Sequence, residues 1–101
     1  MAIAEVTIIP MGTGSTSLST YVANCHKILE EDERIKPLLT PMGSIIEGDL
    51  DVIFELVQKM HEVPFANGAM RVSTTVRIDD RRDKKSSMEQ KLNSVRGKMD
   101  K

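Results

Sequence analysis

A chain of 101 residues with 40% hydrophobic and 29% charged content is sized for one domain, small enough that association with further copies would help to stabilise it. Fourteen basic residues against fifteen acidic ones give a net charge of -1, which leaves no positive surplus for a phosphate backbone. With only Tyr21, Phe54 and Phe65 as aromatics there is no base-stacking platform either, so a nucleic-acid partner is disfavoured. No stretch approaches the roughly 20 apolar residues of a membrane span, and the N-terminus has no basic segment followed by an apolar run. A cytoplasmic location without membrane contact is therefore the expectation, and the single cysteine, Cys25, excludes an internal disulfide.

From Ile3 to Ile9 the residues alternate as a strand does, with Ala4, Val6 and Ile8 on a core face and Glu5 and Thr7 on the other. Pro10 lacks a ladder donor and is expected to end the pairing. The run Gly12-Thr13-Gly14-Ser15-Thr16-Ser17 then joins strand to helix. It suits either an ordinary turn with a hydroxyl cap or a loop whose amides and hydroxyls hold an anion or a small polar ligand. Leu18, Val22, Cys25 and Leu29 fall at helical spacing, one stripe of a first helix capped near Thr16 or Ser17. Cys25 on that stripe reads as a buried hydrophobe.

Ile35 to Pro41 contains two prolines and so reads as an edge strand; Met42-Gly43 turns the chain into Ser44-Ile45-Ile46-Glu47, a strand that pairs back. Gly48-Asp49 breaks it and supplies a helix N-cap, after which Leu50, Ile53, Phe54, Val57 and Met60 or His61 give a second helix its apolar face. Pro64 predicts termination or a kink near Val63, and Asn67-Gly68 supplies left-handed positions for the exit. In Met70 to Ile78, Val72, Thr74, Val76 and Ile78 alternate with Arg71, Ser73, Thr75 and Arg77, a strand covering a core with one face. A charged connector follows. Ser86 with Glu89, or Ser87 with Gln90, then resembles a capping box for a third helix striped by Met88, Leu92, Val95 and Met99.

This order predicts one α+β domain over residues 1–101, a ferredoxin-like βαββαβ sandwich. Two helices lie on one face of a four-stranded antiparallel sheet, and residues 79–101 form a charged connector and an added C-terminal helix. The open sheet face would carry Glu5, Thr7, Arg71, Ser73, Thr75 and Arg77, with Glu5 and Arg77 as partners. That face, the edge strand and the third-helix stripe together predict a homodimer or homotetramer.

Chemistry is sparse. His26 and His61 lie on different helices without ligand-spaced partners, so no metal site is expected. Gly12 and Gly14 lack both the third glycine of a dinucleotide loop and the Gly-Lys-Ser or Gly-Lys-Thr of a P-loop. With no triad, activated cysteine or metal set, the chain reads as a binding protein rather than an enzyme, without catalytic residues and without a cofactor.

Glu5-Val6-Thr7-Ile8-Ile9-Pro10, Thr13-Gly14-Ser15, Tyr21-Val22, Thr40-Pro41-Met42-Gly43, Ile46-Glu47-Gly48-Asp49-Leu50-Asp51, Arg71-Val72 and Ile78-Asp79-Asp80-Arg81-Arg82-Asp83 occur in that order. Together they resemble the small thiamine-binding-protein family, the YkoF-like group. The resemblance spans nearly the whole chain and implies a ferredoxin-like fold, dimers of dimers, no catalysis and, in some relatives, binding of thiamine or its hydroxymethylpyrimidine part. Pro64 departs from relatives in which the second helix runs uninterrupted. A thiamine-like ligand needs an apolar slot, hydroxyl or carboxylate partners for its aminopyrimidine and tolerance of the thiazolium charge. The resemblance points to Ser15, Ser17 and Tyr21, with Met42, Ser44 and Glu47, completed by Thr74 or Thr75. Two other readings remain beside it: a regulatory or assembly module acting through its oligomer surface, and an anion-binding sensor at the Gly12 to Ser17 loop.

Overall fold

Seven elements run in the order β1 (Ala2–Met11), α1 (Ser19–Glu30), β2 (Lys36–Thr40), β3 (Gly43–Gly48), α2 (Leu50–Ala66), β4 (Arg71–Asp79) and α3 (Met88–Met99) in the computed structural model, which describes residues 1–14, 18–84 and 87–100. The strands form one antiparallel sheet in the order β2-β3-β1-β4, which with α1 and α2 on one face is the ferredoxin-like arrangement. Strand alternation sends Ala2, Ala4, Val6 and Ile8 to the helices, where they meet Cys25 and Leu29 of α1, Ile46 of β3, and Ile53, Leu56, Val57 and Met60 of α2. Glu5 and Arg77 are cross-strand neighbours on the open face, 3.9 Å apart.

Three local expectations change. Pro10 does not end β1: it pairs with Val72 and Met11 with Arg71. Pairing with β3 has already stopped at Val6, so the missing Pro10 donor falls on a side with no strand to serve. In α2, Phe54 is 53% exposed whereas Leu56 is buried. The inward stripe is Ile53, Leu56, Val57, Met60 and Pro64, and Phe54, about 100° round from Ile53, lies off it. Finally, α2 continues through Pro64 to Ala66. A proline there leaves the Met60 carbonyl without its i+4 amide, and the Cys25 thiol, 3.5 Å away, donates to that carbonyl instead. The helix then closes on a Schellman motif, with the Ala69 amide bonded to the Pro64 carbonyl and the Gly68 amide to that of Phe65. Only Gly68 of the Asn67-Gly68 pair is left-handed, at φ +100.

α3 stands apart. Ser87 caps it by accepting from the Gln90 amide at 3.1 Å, and the buried Glu47 carboxylate accepts from the Met88 amide at 3.2 Å. Lys91 bonds Asp79 at 2.8 Å. Beyond this anchored first turn Leu92, Val95 and Met99 are exposed, and no described residue of α3 is buried.

Candidate functional site

The sheet splits where β1 outruns β3. Their last pair is Val6↔Ser44, while β1 continues alongside β4 as far as Met11. Beside this split a cavity of about 230 Å³ is lined by Val6–Ile9, Thr40–Ser44, Leu18, Val22 and Cys25 of the α1 side, and Met60. Ladder geometry gives the gap its polarity. The Val6 carbonyl lies on the β3 side, since a Cβ at Gly43 would come within 2.7 Å of it. Alternation then aims the amide and carbonyl of Ile8 at the same side, past the end of β3, where no described strand takes them up.

Local sequence shapes the turn. Pro41 presets φ for the first corner of a two-residue connection closed by Thr40↔Gly43. The Thr40 hydroxyl ties it by accepting from the Met42 amide at 3.2 Å and donating to the Gly43 carbonyl at 2.9 Å. Thr7 adds a bond to the Met42 carbonyl at 3.3 Å. Gly43 stands at φ +155 against the β1 backbone, a place with no room for a side chain.

Of the polar side chains that line the cavity, Ser44 is the buried one, and His26 backs it from outside the lining. Ser44 is 5% exposed, and its hydroxyl lies 2.9 Å from Nδ1 of His26, itself 6% exposed; Nε2 of the same ring is 3.2 Å from Oε1 of Glu30, one helical turn on. Cys25 shares the wall, and burial pushes its thiol pKa up. That keeps it protonated, as its bond to the Met60 carbonyl requires, and makes it a poor nucleophile. Among the described residues no group of three or more His, Cys, Asp or Glu side chains is placed to hold a metal ion.

Of the residues singled out in the sequence, Met42 and Ser44 line this cavity. Tyr21 lies elsewhere, in a concavity with Gly12, Thr13, Gly68 and Arg71. Glu47 is three residues from Ser44 and so on the opposite sheet face, where it caps α3. Thr74 points under α2 and bonds Nδ1 of His61 at 2.7 Å, while Thr75 is exposed on the open face opposite Thr7. Ser15 and Ser17, with the Thr16 or Ser17 cap, lie outside the described residues; Leu18 stands at the N-cap position of α1. Thr7 and Thr40 line the cavity and were not among the ligand candidates read from the sequence, nor was His26, which backs Ser44. The i, i+4 spacing of His26 and Glu30 was readable, but the meeting of His26 with Ser44 depends on strand pairing.

A family model described as thiamine-binding protein matches residues 4–96. The chain belongs to this family. It is 54% identical to the UPF0045 protein YqgV of Bacillus subtilis over 98 residues, covering 94% of each chain. Against a UPF0045 protein of Methanothermobacter thermautotrophicus it is 42% identical over 100 residues, covering 98% of this chain and all of that one. Among solved structures, protein MJ1052 of Methanocaldococcus jannaschii matches with a TM-score of 0.84 at 35% identity, covering 93% of this chain and 94% of that one. A Thermotoga maritima protein assigned to thiamine biosynthesis or salvage shares the fold alone, with a TM-score of 0.77 at 15% identity over 93% of this chain and 97% of that one. Family membership establishes a small-molecule partner as the common theme and carries no indication of catalysis.

Proposed function

We propose that this family member binds the hydroxymethylpyrimidine part of thiamine, free or within thiamine, in the cavity at the split of β1 from β3, and that it does so without catalysis. The observation that carries the reading is the cavity itself: apolar walls from Val6, Ile8, Val22 and Met60, with Thr7, Thr40 and Ser44 as the polar residues of its lining. A flat heteroaromatic ring with edge nitrogens is the ligand class such a slot accepts. Size selects the moiety. About 230 Å³ falls below the roughly 300–1,000 Å³ of pockets that enclose drug-sized molecules, so one ring is enclosed and the charged thiazolium stays at the mouth in water. Isothermal titration with thiamine and with hydroxymethylpyrimidine tests this. Saturable heat with both, at comparable affinity, is expected; no heat and no thermal shift at millimolar ligand would refute it.

The exposed stripe Leu92, Val95 and Met99 on α3 supports a homo-oligomer, dimer or tetramer, in a cytoplasmic protein. It equally favours a second reading, an assembly module acting through that oligomer surface. Light scattering on chains ending at Asp83 separates the two: binding retained by a smaller species supports the ligand reading, whereas loss of a co-purifying protein with no change in ligand binding supports assembly.

A further inference from the structure

We infer that Glu30 and His26 act as a relay that fixes the Ser44 hydroxyl as a hydrogen-bond acceptor toward the cavity, so that the site selects a ring bearing an N–H donor. The inference rests on the cavity being the ligand site. Glu30 as a carboxylate has only acceptors to offer, so the imidazole nitrogen facing it, Nε2 at 3.2 Å, carries the ring proton. With the ring neutral, Nδ1 is bare and the Ser44 hydroxyl at 2.9 Å donates to it, so the relay is a property of the neutral ring; an imidazolium would carry a proton on both nitrogens and reverse this bond. The hydroxyl's single proton is thereby spent inside the protein. What remains for the cavity is oxygen lone pairs.

The order serine, histidine, acid is that of a hydrolase triad, but Ser44 lies inside a strand paired on both sides. It is not on an exposed turn with free amides to hold an oxyanion. The relay therefore sets a polarity and does not build a nucleophile. Burial makes that polarity count: at 5% exposure Ser44 has little water with which to compensate a mismatched ligand. His26 and Glu30 are positioning residues, acting on ligand through Ser44.

The test has two arms. Nitrogen-15 NMR of the ligand-free protein reads the His26 tautomer directly: Nε2–H is expected in the wild type. In Glu30→Lys the new ammonium donates to Nε2, the ring proton moves to Nδ1, and Ser44 is left to turn its O–H toward the cavity. In the second arm, 4-amino-5-hydroxymethyl-2-methylpyrimidine and its 4-methoxy counterpart are titrated into each protein. The wild type should prefer the amine about tenfold or more, Glu30→Lys should erase or invert the preference, and Ser44→Ala should erase it. A proton on Nδ1 in the wild type, as the Nδ1–H tautomer or the imidazolium, or a preference unchanged by Glu30→Lys, would overturn the relay. If the wild type binds neither pyrimidine, the proposed function and the selectivity fall together, and the tautomer still decides whether the relay exists.

Discussion

Cys25 and Pro64 should be energetically coupled although neither touches the other's side chain by hydrogen bond. Pro64 removes the amide that would satisfy the Met60 carbonyl, and Met60 is 1% exposed, so water does not substitute. The thiol of Cys25 does, at 3.5 Å. Replacing it in Cys25→Ala strands a buried acceptor, at a cost of about 1–3 kcal/mol. In Pro64→Ala the residue 64 amide returns and bonds the carbonyl, so the same cysteine substitution should then cost about 1–3 kcal/mol less, leaving only the small void left by sulfur. The assay is a double-mutant cycle from urea unfolding midpoints at one fixed protomer concentration, since any subunit association makes midpoints concentration-dependent. Additivity within about 0.3 kcal/mol would refute the idea that the thiol replaces the missing helical bond.

Other outcomes follow from individual contacts. Gly43→Ala places a methyl 2.7 Å from the Val6 carbonyl at φ +155; a loss of about 1–3 kcal/mol in thermal unfolding is expected, with weakened pyrimidine binding as the turn shifts. The Asp32 carboxyl, hydrogen-bonded by Arg34, is held down at about 2. Its stabilising contribution is complete above the ordinary carboxylate range and is lost as pH falls through that value. Carbon-13 titration should show this midpoint returning to the ordinary range in Arg34→Ala. Glu47→Ala removes the acceptor for the Met88 amide, so hydrogen exchange across α3 should accelerate about five- to thirtyfold, as expected for about 1–2 kcal/mol of lost capping; unchanged exchange would show that Ser87 alone holds the helix start.

The scaffold was legible because alternation and helical spacing act locally. Ala4, Val6 and Ile8 could face only one way once the strand was set, and Val72 to Ile78 repeated the pattern. Departures arose where a second element decided the matter. Pro10 is tolerated because pairing with β3 stops at Val6, and Pro64 is tolerated because Cys25 lies across from Met60. The site was only partly legible for the same reason: Met42 and Ser44 were within reach of pattern and resemblance, but the cavity exists because two strands end at different levels. Glu47, grouped with Ser44 as a ligand candidate in the sequence, lies on the other sheet face and bonds the start of α3, since a spacing of three crosses the sheet.

Chemical-shift mapping with hydroxymethylpyrimidine on nitrogen-15-labelled protein tests the central claim most directly. The account predicts shifts concentrated at Thr7–Ile9, Thr40–Ser44 and Val22–Cys25, the residues around the split between β1 and β3. Shifts gathered instead around Gly12, Tyr21 and Gly68, or no shifts at saturating ligand, would contradict it.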